Sequence, residues 1–330
     1  MDMILANATG QEEKYIDNDL DIEIGSGNTF EVSMPYSDWN GDFAFGKYVY
    51  EPGTEHGGII KDIETSTLTE RICVRGYTWR GYLTHRIIEP PAGEDYLTVS
   101  GELNSVIAEV IGNSLGSPFM VSAVDTGVSV SNYKFNRYIN VDEGLRAMLA
   151  TKGYRLNIRH SYVSADAWRV IIEAVPAQNY GQDIEFSQDS NLYFSTRDYR
   201  MGINHLICLG TGELNERIVI HLYADEDGNI SDTQTITGNE EIVGTYVYTS
   251  ATEEELLERG TLEFRSMLNY KSFSASVREV DEYTLEIGDK ISGRDYVTGL
   301  AITKPIVQKL IKRVNNIPSI SYKIEGENSV

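Results

Sequence analysis

Apolar and polar positions alternate in short runs over the first part of the chain. The runs TFEVSMP, DFAFGKYVYEPG and GGIIKDIETSTLTERICVRGY are rich in residues that favour strands, and Gly, Asn and Asp separate them. This punctuation is typical of strands joined by tight turns. The pattern predicts a β-barrel over residues 1–92, which ends at the Pro-Pro pair of GYLTHRIIEPP because two prolines do not continue a regular element.

Between residues 93 and 177 the apolar spacing becomes that of a helix. Apolar residues recur at 103, 107, 110 and 111 in ELNSVIAEVIGNSLG, and at 145, 148 and 149 in NVDEGLRAMLATKGY. Acidic residues early in the second run and Gly153 after it are signals of helix ends. The strand-like runs YRLNIRHSY and WRVIIEAVP follow, so residues 93–177 are predicted to form a small α+β domain.

The rest of the chain is predicted to consist mostly of strands. Residues 178–240 and 272–330 are assigned to a second β-barrel with hairpins, and residues 241–271 to a helical insertion in which Ser and Thr precede a run of Glu. The run KPIVQKLIKRVNN fits a helix or a strand pair. We prefer the strand pair because β-branched residues dominate and Asn315-Asn316 offers a turn. The predicted fold class is α+β, predominantly β.

Two stretches far apart in the chain share one pattern. FAFGKYVYEPGTEHGGII, from residue 43, aligns without a gap with LEIGDKISGRDYVTGLAI, from residue 285. We interpret the match as one small β unit used twice, which predicts two similar barrels. The matched positions are Gly46 with Gly288, Gly57 with Gly299, and Ile60 with Ile302.

The charge balance limits the possible partners. The net charge is −22, with 50 acidic and 28 basic residues, so a broad basic face for duplex DNA is not expected. The acidity fits either simple solubility or an acidic channel through which DNA slides without binding. One basic cluster is either a solvated face or a docking patch for an acidic neighbour, including another copy of the chain. Its members are Lys304, Lys309, Lys312 and Arg313.

The cysteines and the N-terminus indicate a reducing compartment. Cys73 and Cys208 form no C-x-x-C motif and lie among apolar residues, so we expect buried thiols in strands. The N-terminus lacks a basic region and a long apolar core, so no signal peptide is expected. No run of about 18 apolar residues predicts a membrane span. We therefore expect synthesis in a cytoplasm.

Two glycine-containing motifs imitate catalytic loops. IGDKISGRDYVTG resembles a phosphate-binding loop, but Arg294 and Asp295 replace the Lys and the hydroxyl residue, and a strand-like run follows where a helix is needed. GNSLG matches a nucleophile elbow, but a helix precedes Ser114 where a strand is required. Ser114 is instead expected in a helix C-terminal turn.

No metal, cofactor or catalytic site is predicted. YADEDGNISD has Tyr223 and Gln234 where a calcium loop needs acidic ligands, so a hairpin turn at Asp227-Gly228 is favoured. The histidines show no metal-binding spacing, and nothing in the sequence predicts that they converge. They are His56, His85, His160, His205 and His221.

These segments together resemble a known family. GGII, ICVRGYTWRGYLTHRIIEPPAGEDY and GDKISGRDYVTGLAI, followed by a final hairpin, are similar in order and pattern to tail-tip hub proteins of long-tailed phages and prophages. That family is related to the baseplate hub of contractile tails, and its members often carry the tail-endopeptidase name.

The resemblance implies a structural role in a virion. It implies two similar β-barrels with α+β inserts, a homotrimeric ring that joins the tail tube to the distal tip or fibre proteins, and DNA that passes without sequence-specific binding. It also implies a location at the tail tip after synthesis in the bacterial host. Because no peptidase or lysozyme pattern accompanies the hub pattern, we expect no enzymatic activity and no cofactor.

Two other functions stay open at this point. A tail-associated cell-wall hydrolase would need a convergent nucleophile, metal or acid pair. A carbohydrate-binding receptor module would need exposed aromatic residues, whereas Trp39, Trp79 and Trp168 are scattered and expected to pack in cores.

Overall fold

Strands predominate in the computed structural model, which describes residues 1–164, 167–180, 185–186, 193–276, 285–299 and 301–324. The predicted class, α+β and predominantly β, is confirmed. The helices are α1 (Gly81–Thr84), α2 (Leu103–Ile111), α3 (Val141–Ala150) and α4 (Glu253–Met267). The strands are β1 (Met3–Ala6), β2 (Glu12–Ile16), β3 (Asp19–Ile24), β4 (Thr29–Pro35), β5 (Tyr48–Tyr50), β6 (Gly57–Ser66), β7 (Arg71–Thr78), β8 (Thr98–Glu102), β9 (Phe119–Val121), β10 (Ser129–Lys134), β11 (Tyr154–Ser164), β12 (Ala167–Pro176), β13 (Glu185–Phe186), β14 (Tyr193–Tyr199), β15 (His205–Leu209), β16 (Val219–Ala224), β17 (Ile230–Ser231), β18 (Val243–Val247), β19 (Tyr270–Ser276), β20 (Lys290–Arg294), β21 (Ala301–Val314) and β22 (Ile317–Ile324).

The chain folds into two compact units. Unit 1 comprises Met1–Phe194, Ser274–Arg294 and Thr303–Ile324, and unit 2 comprises Ser195–Phe273 and Asp295–Ile302. The domain boundaries predicted from the sequence, after residues 92, 177, 240 and 271, stay a prediction about which segments fold independently.

One large sheet organises unit 1. Nine of its 13 strands follow the order β22-β21-β3-β4-β7-β6-β5-β1-β2. In β3 the apolar side chains Leu20, Ile22 and Ile24 are buried and alternate with partly exposed acidic ones, as a strand with one covered face requires. Because β3 lies between β21 and β4, the last segment of the chain joins the first in a single sheet.

The sheet is open, and this corrects the prediction of two barrels. Ile22 of β3 pairs with Ile311 of β21, so strands assigned to separate barrels are neighbours. At the far end, β2 pairs with β1 alone among the described strands. A barrel would need that edge strand to find a second partner. Closure depends on such non-local pairings, which apolar periodicity within a segment does not report.

Local signals located several helix ends and one strand pair correctly. The helical insertion predicted over residues 241–271 is shorter than expected, because Val243–Val247 form β18 and the helix covers Glu253–Met267. Asn140 caps α3 by accepting a hydrogen bond from the Glu143 amide, and Thr252 forms a capping box with Glu255 at the start of α4. The strand pair preferred for the C-terminal run is confirmed as β21 and β22, joined by a turn at residues 315 and 316, both with positive φ. Within the described residues, no helix is long and apolar enough to cross a bilayer.

The main core of unit 1 lies between the large sheet, α2, α3 and the β11-β12-β9 sheet. Trp79 and Trp168 are buried there, and their rings lie 6.2 Å apart. Trp39 is half-buried and stacks on Phe43, outside this cluster. The prediction that the tryptophans pack in cores therefore holds for two of the three.

A buried guanidinium connects this core to its surroundings. Arg80 is fully buried and donates two hydrogen bonds to Glu55, at 2.7 and 2.9 Å, and one to Asp142 at 2.8 Å. A fourth bond reaches the carbonyl oxygen of Leu156 at 3.2 Å. Burial raises the pKa of the Glu55 carboxyl, and the neighbouring Arg80 opposes the rise. The loop before β6, helix α3 and strand β11 are thus held by one side chain.

Removal of Arg80 should destabilise unit 1 strongly. Arg80→Met leaves the buried carboxylate of Glu55 without its cation and leaves Arg146 as the remaining cation of Asp142, so we expect a loss of about 3–5 kcal/mol in the free energy of unfolding. Urea denaturation followed by tryptophan fluorescence measures it.

Arg75→Met is the matched control, because Arg75 also meets three carboxylates, those of Glu31, Asp62 and Glu64, but its side chain is 34% exposed. We expect a loss of about 1 kcal/mol or less there. Equal losses in the two variants would refute the special role of the buried cluster.

His160 is the buried histidine of the core. It is fully buried on β11, stacks on Tyr50 at 4.3 Å and lies 5.0 Å from Trp168, and neither of its ring nitrogens has a partner among the described residues. Burial lowers the pKa of His160 to about 4, although the Glu12 carboxylate acts in the opposite direction. The ring is therefore neutral in the folded state at neutral pH.

This burial predicts a pH-dependent loss of stability. The unfolded chain takes up the proton near pH 6.5 and the folded chain only near pH 4, so stability is complete above pH 6.5 and falls as the pH drops through that window. The contribution reaches about 3 kcal/mol at the acid end. His160→Phe should flatten this slope in urea titrations between pH 7 and 4. An unchanged slope would contradict the assignment to His160.

Candidate functional site: the duplicated β unit

The first copy of the repeated pattern begins at a tight turn before β5. Gly46 has a φ of +83°, a conformation that favours glycine. Its amide donates to the carbonyl of Ile60 at 3.0 Å, and the amide of Ile60 donates to the carbonyl of Lys47 at 2.9 Å. These reciprocal bonds fasten the turn to β6.

The second copy repeats this geometry before β20. Gly288 has a φ of +94°. Its amide donates to the carbonyl of Ile306 at 2.8 Å, and the amide of Ile306 donates to the carbonyl of Asp289 at 2.8 Å. The structural counterpart of Ile60 is therefore Ile306, four positions after the Ile302 that the gapless alignment indicated.

A shared irregularity in the next strand pair supports this correspondence. The pairing of β6 with β7 shifts register directly after Ile60, and that of β21 with β22 shifts directly after Ile306. Gly76 faces Ile60, whereas Ile324 faces Ile306.

The second predicted glycine pair, Gly57 with Gly299, does not correspond in the structure. Gly57 lies in β6 opposite Tyr50 and has no positive φ. Gly299 has a φ of +72° in a turn whose amide bonds the carbonyl of Asp295 at 2.8 Å. The longer connection in the second copy separates the two positions, and a gapless comparison cannot detect an insertion inside the repeat.

The predicted basic patch is only partly on the surface. Lys309 is 2% exposed and bonds Glu286 at 3.1 Å, and Arg313 is 6% exposed and donates to the carbonyls of Met1, Ile16 and Asn18. Lys312 is half-exposed and forms an ion pair with Asp21 at 2.7 Å. Lys304 is exposed. Only Lys304 and Lys312 are therefore available to a partner.

The buried cations hold the duplicated unit together. Arg313 ties β21 to the N-terminal residues through carbonyl oxygens, and Arg155 of β11 pairs with the buried Asp289 at 2.9 Å. Burial raises the pKa of Asp289, and Arg155 opposes the rise. These side chains serve as structural connectors.

A histidine pair in unit 2 was not anticipated. His205 Nε2 lies 2.8 Å from His221 Nδ1, and His205 Nδ1 lies 2.7 Å from Glu241. Their strands are antiparallel, with His205 opposite Tyr223 and His221 opposite Ile207, so the histidines are diagonal neighbours on one face. The sequence predicted hairpins in this segment but not their register, and the register is what brings the two histidines together.

The pair forms a hydrogen-bonded chain and not a ligand set. Glu241 occupies the nitrogen of His205 that faces away from His221, so the three groups do not point to one centre. Across the described residues, no three His, Cys, Asp or Glu side chains gather as metal ligands. That the chain has no metal site remains a prediction.

The three motifs that resemble catalytic or calcium-binding loops lie in ordinary turns or in a strand. Ser114 follows α2, and its hydroxyl donates to the Ile111 carbonyl at 2.6 Å, as expected for a helix C-terminal turn. Asp225 and Gly228 close the hairpin between β16 and β17, where the calcium-like sequence lies. Gly293 lies inside β20, so no phosphate-cradling loop forms there.

Both cysteines lie in strands, as predicted. Cys208 is fully buried in β15, and Cys73 is partly buried in β7. Burial raises the pKa of both thiols, so neither is a ready nucleophile.

The second turn should tolerate substitution less well than the first. A Cβ on Gly288 would lie 2.7 Å from Cβ of Arg155, whereas one on Gly46 would meet nothing closer than 3.9 Å. Gly46→Ala should cost about 1–2 kcal/mol from backbone strain alone. Gly288→Ala should cost more, and urea denaturation compares them. Equal costs would show that the contact with Arg155 relaxes freely.

Comparison with known proteins shows the fold. No protein-family model matches the sequence, and no curated protein sequence matches it. The 43 kDa tail protein of prophage MuSo2 from Shewanella oneidensis is 15% identical over 98% of both chains, with a TM-score of 0.57. A chain of the phage P2 baseplate in its activated conformation with Ca is 8% identical over 99% of both chains, with a TM-score of 0.53. A tail protein from Neisseria meningitidis MC58 is 11% identical over 99% of this chain and 97% of that one, with a TM-score of 0.51. The chain thus shares its fold with prophage tail proteins and a component of a phage baseplate.

Proposed function

We propose that this protein is a structural, non-enzymatic hub of a phage or phage-like tail. In this proposal three copies form a ring that joins the tail tube to the distal tip, and DNA passes through the ring. The observation that carries the proposal is the fold, which covers nearly the whole of a prophage tail protein and of a baseplate chain. The virion is accordingly its proposed location.

The duplicated β unit supports the ring. Gly46 and Gly288 begin two turns with the same bonds, and the same register shift follows in β6 and β21. Three chains with two such units each would present six similar positions around an axis. A ring of this kind can meet a six-fold tube on one face and a three-fold tip on the other.

The charge supports passage of DNA without retention. The net charge of −22 opposes binding of phosphate backbones. Several surface cations are already paired with carboxylates, for example Arg75 with Glu31 and Lys312 with Asp21. An acidic lining would let DNA slide past without sequence-specific contact.

The exposed cations Lys304 and Lys312 would serve the assembly. Both lie on β21, in the second copy of the duplicated unit. In the proposed ring they would face an acidic surface of a neighbouring chain or tail protein. The buried Lys309 and Arg313 have no part in this role.

Electron microscopy and light scattering test the ring. Purified protein at high concentration should have three times the 37.0 kDa chain mass and show a three-fold ring with a central hole. The double variant Lys304→Glu and Lys312→Glu should weaken assembly about tenfold if both cations meet acidic neighbours. A matched double substitution at the distant surface residues Lys134 and Lys152 should leave it unchanged.

Two outcomes would overturn the proposal. One is a closed assembly of different symmetry with no central hole. The other is a monomer that degrades purified bacterial cell walls, which would favour the tail-associated hydrolase instead.

A further inference from the structure

The sheet of unit 2 leaves one of its edges without a partner. Its strands follow the order β17-β16-β15-β18, so β18 is terminal and pairs, in parallel, with β15 alone among the described strands. Helix α4 covers one face, where Leu206, Cys208 and Phe264 form the core. On the opposite face of the sheet, Val243, Thr245 and Val247 of β18 are exposed.

The backbone of β18 offers a row of free hydrogen-bonding groups. In a parallel pair, alternate residues of a strand bond to the neighbour. Ile242 accepts a bond from His205, and Tyr248 donates one to Leu209, so the even positions face β15. Val243, Thr245 and Val247 therefore turn their N–H and C=O groups outward.

The side chains of those same residues leave the edge unprotected. Val243 is 50% exposed and Val247 is 53% exposed, and the strand VGTYV contains no charge and no proline. Proteins normally guard such edges with Lys, Pro or short irregular strands. The edge strand β2 of the large sheet is guarded in this way, since it reads EEKYI.

The open face beside this edge carries both apolar and polar side chains, including the His205–His221 pair. The strand registers place three cross-strand rows on it. The rows are Tyr223, His205 and Val243; His221, Ile207 and Thr245; and Val219, Leu209 and Val247. An added strand would extend these rows with its own alternate side chains.

The flanking charges indicate the chemistry of the occupant. Exposed Glu240 precedes β18, and exposed Glu253 and Glu254 follow it. A second copy of this chain would bring the same acidic flanks against each other, which disfavours self-pairing. A strand with basic flanks would be attracted.

We propose that the outer edge of β18 is a docking surface that adds one strand of another protein. The occupant is an extended segment with alternating β-branched residues and Lys or Arg at its ends. The inference rests on the sheet of unit 2 and not on the proposed ring.

A synthetic peptide tests the proposal with the full-length protein. The probe is fluorescent Lys-Lys-Val-Thr-Val-Thr-Val-Lys-Lys, and fluorescence anisotropy should give a Kd of about 100 µM or tighter. Hydrogen exchange should show slower exchange at the amides of Val243, Thr245 and Val247. The same peptide with its central Val replaced by Pro has the same charge and should bind at least about tenfold more weakly. Glutamate flanks in place of lysines should weaken binding similarly.

Substitutions in β18 distinguish backbone pairing from general electrostatic attraction between the peptide and the protein. Thr245→Pro removes an outward N–H and no bond to β15, so circular dichroism should be unchanged while binding weakens about tenfold or more. Thr245→Val keeps the N–H and should bind within about twofold of the parent. Val247→Lys places a guarding charge on the edge and provides a second disruptive variant.

Three results would overturn the proposal. The first is equal binding of the Pro-containing peptide. The second is loss of binding in Val219→Lys with no effect of Thr245→Pro, which would mark the open face and not the edge as the contact. The third is self-association that Thr245→Pro abolishes, which would identify a second copy as the occupant.

Discussion

The buried charge of Arg80 constrains the arrangement of unit 1 more than any single apolar contact. A guanidinium with no access to water must have its N–H groups bonded and its charge balanced. Glu55 supplies two acceptors from the loop before β6, Asp142 supplies one from α3, and Leu156 supplies a carbonyl from β11. If one of these elements moved alone, a buried charged group would lose its hydrogen-bond partner inside an apolar core. The first copy of the duplicated unit and the α+β segment are therefore positioned together.

Strand β11 links this arrangement to the second copy as well. Leu156 bonds Arg80 through its carbonyl, while the neighbouring Arg155 pairs with Asp289 directly after the second turn. Both copies of the unit thus meet the same strand through an arginine side chain. They differ in where the arginine lies. Arg80, which follows β7, bonds Glu55 of the first copy and the Leu156 carbonyl of β11, whereas Arg155 belongs to β11 itself. A duplicated unit can diverge in this way because the charge balance is satisfied either way.

The sequence predicted what local chemistry determines. The capping box at Thr252 and the turn at residues 315 and 316 are properties of a few adjacent residues, and both were located correctly. Pairings between distant strands were missed, because Ile22 opposite Ile311 depends on how the whole chain returns to its start. The burial of Lys309 and Arg313 could have been predicted from the sequence. In a strand, every second residue lies on the same face, so Lys309 and Arg313 share a face with the buried Ile311. The prediction of one surface cluster of cations did not take this period into account.

The edge strands β2 and β18 differ in a way that stability alone does not explain. The edge strand β2 carries acidic and basic side chains, whereas β18 carries Val, Gly, Thr and Tyr only. An unguarded edge exposes the protein to unwanted strand pairing. The strong negative charge of the chain partly offsets that hazard, because identical chains repel each other. Repulsion between copies leaves the edge available to a partner of opposite charge, so the acidity favours pairing of the β18 edge with a different protein over pairing between the β18 edges of two copies.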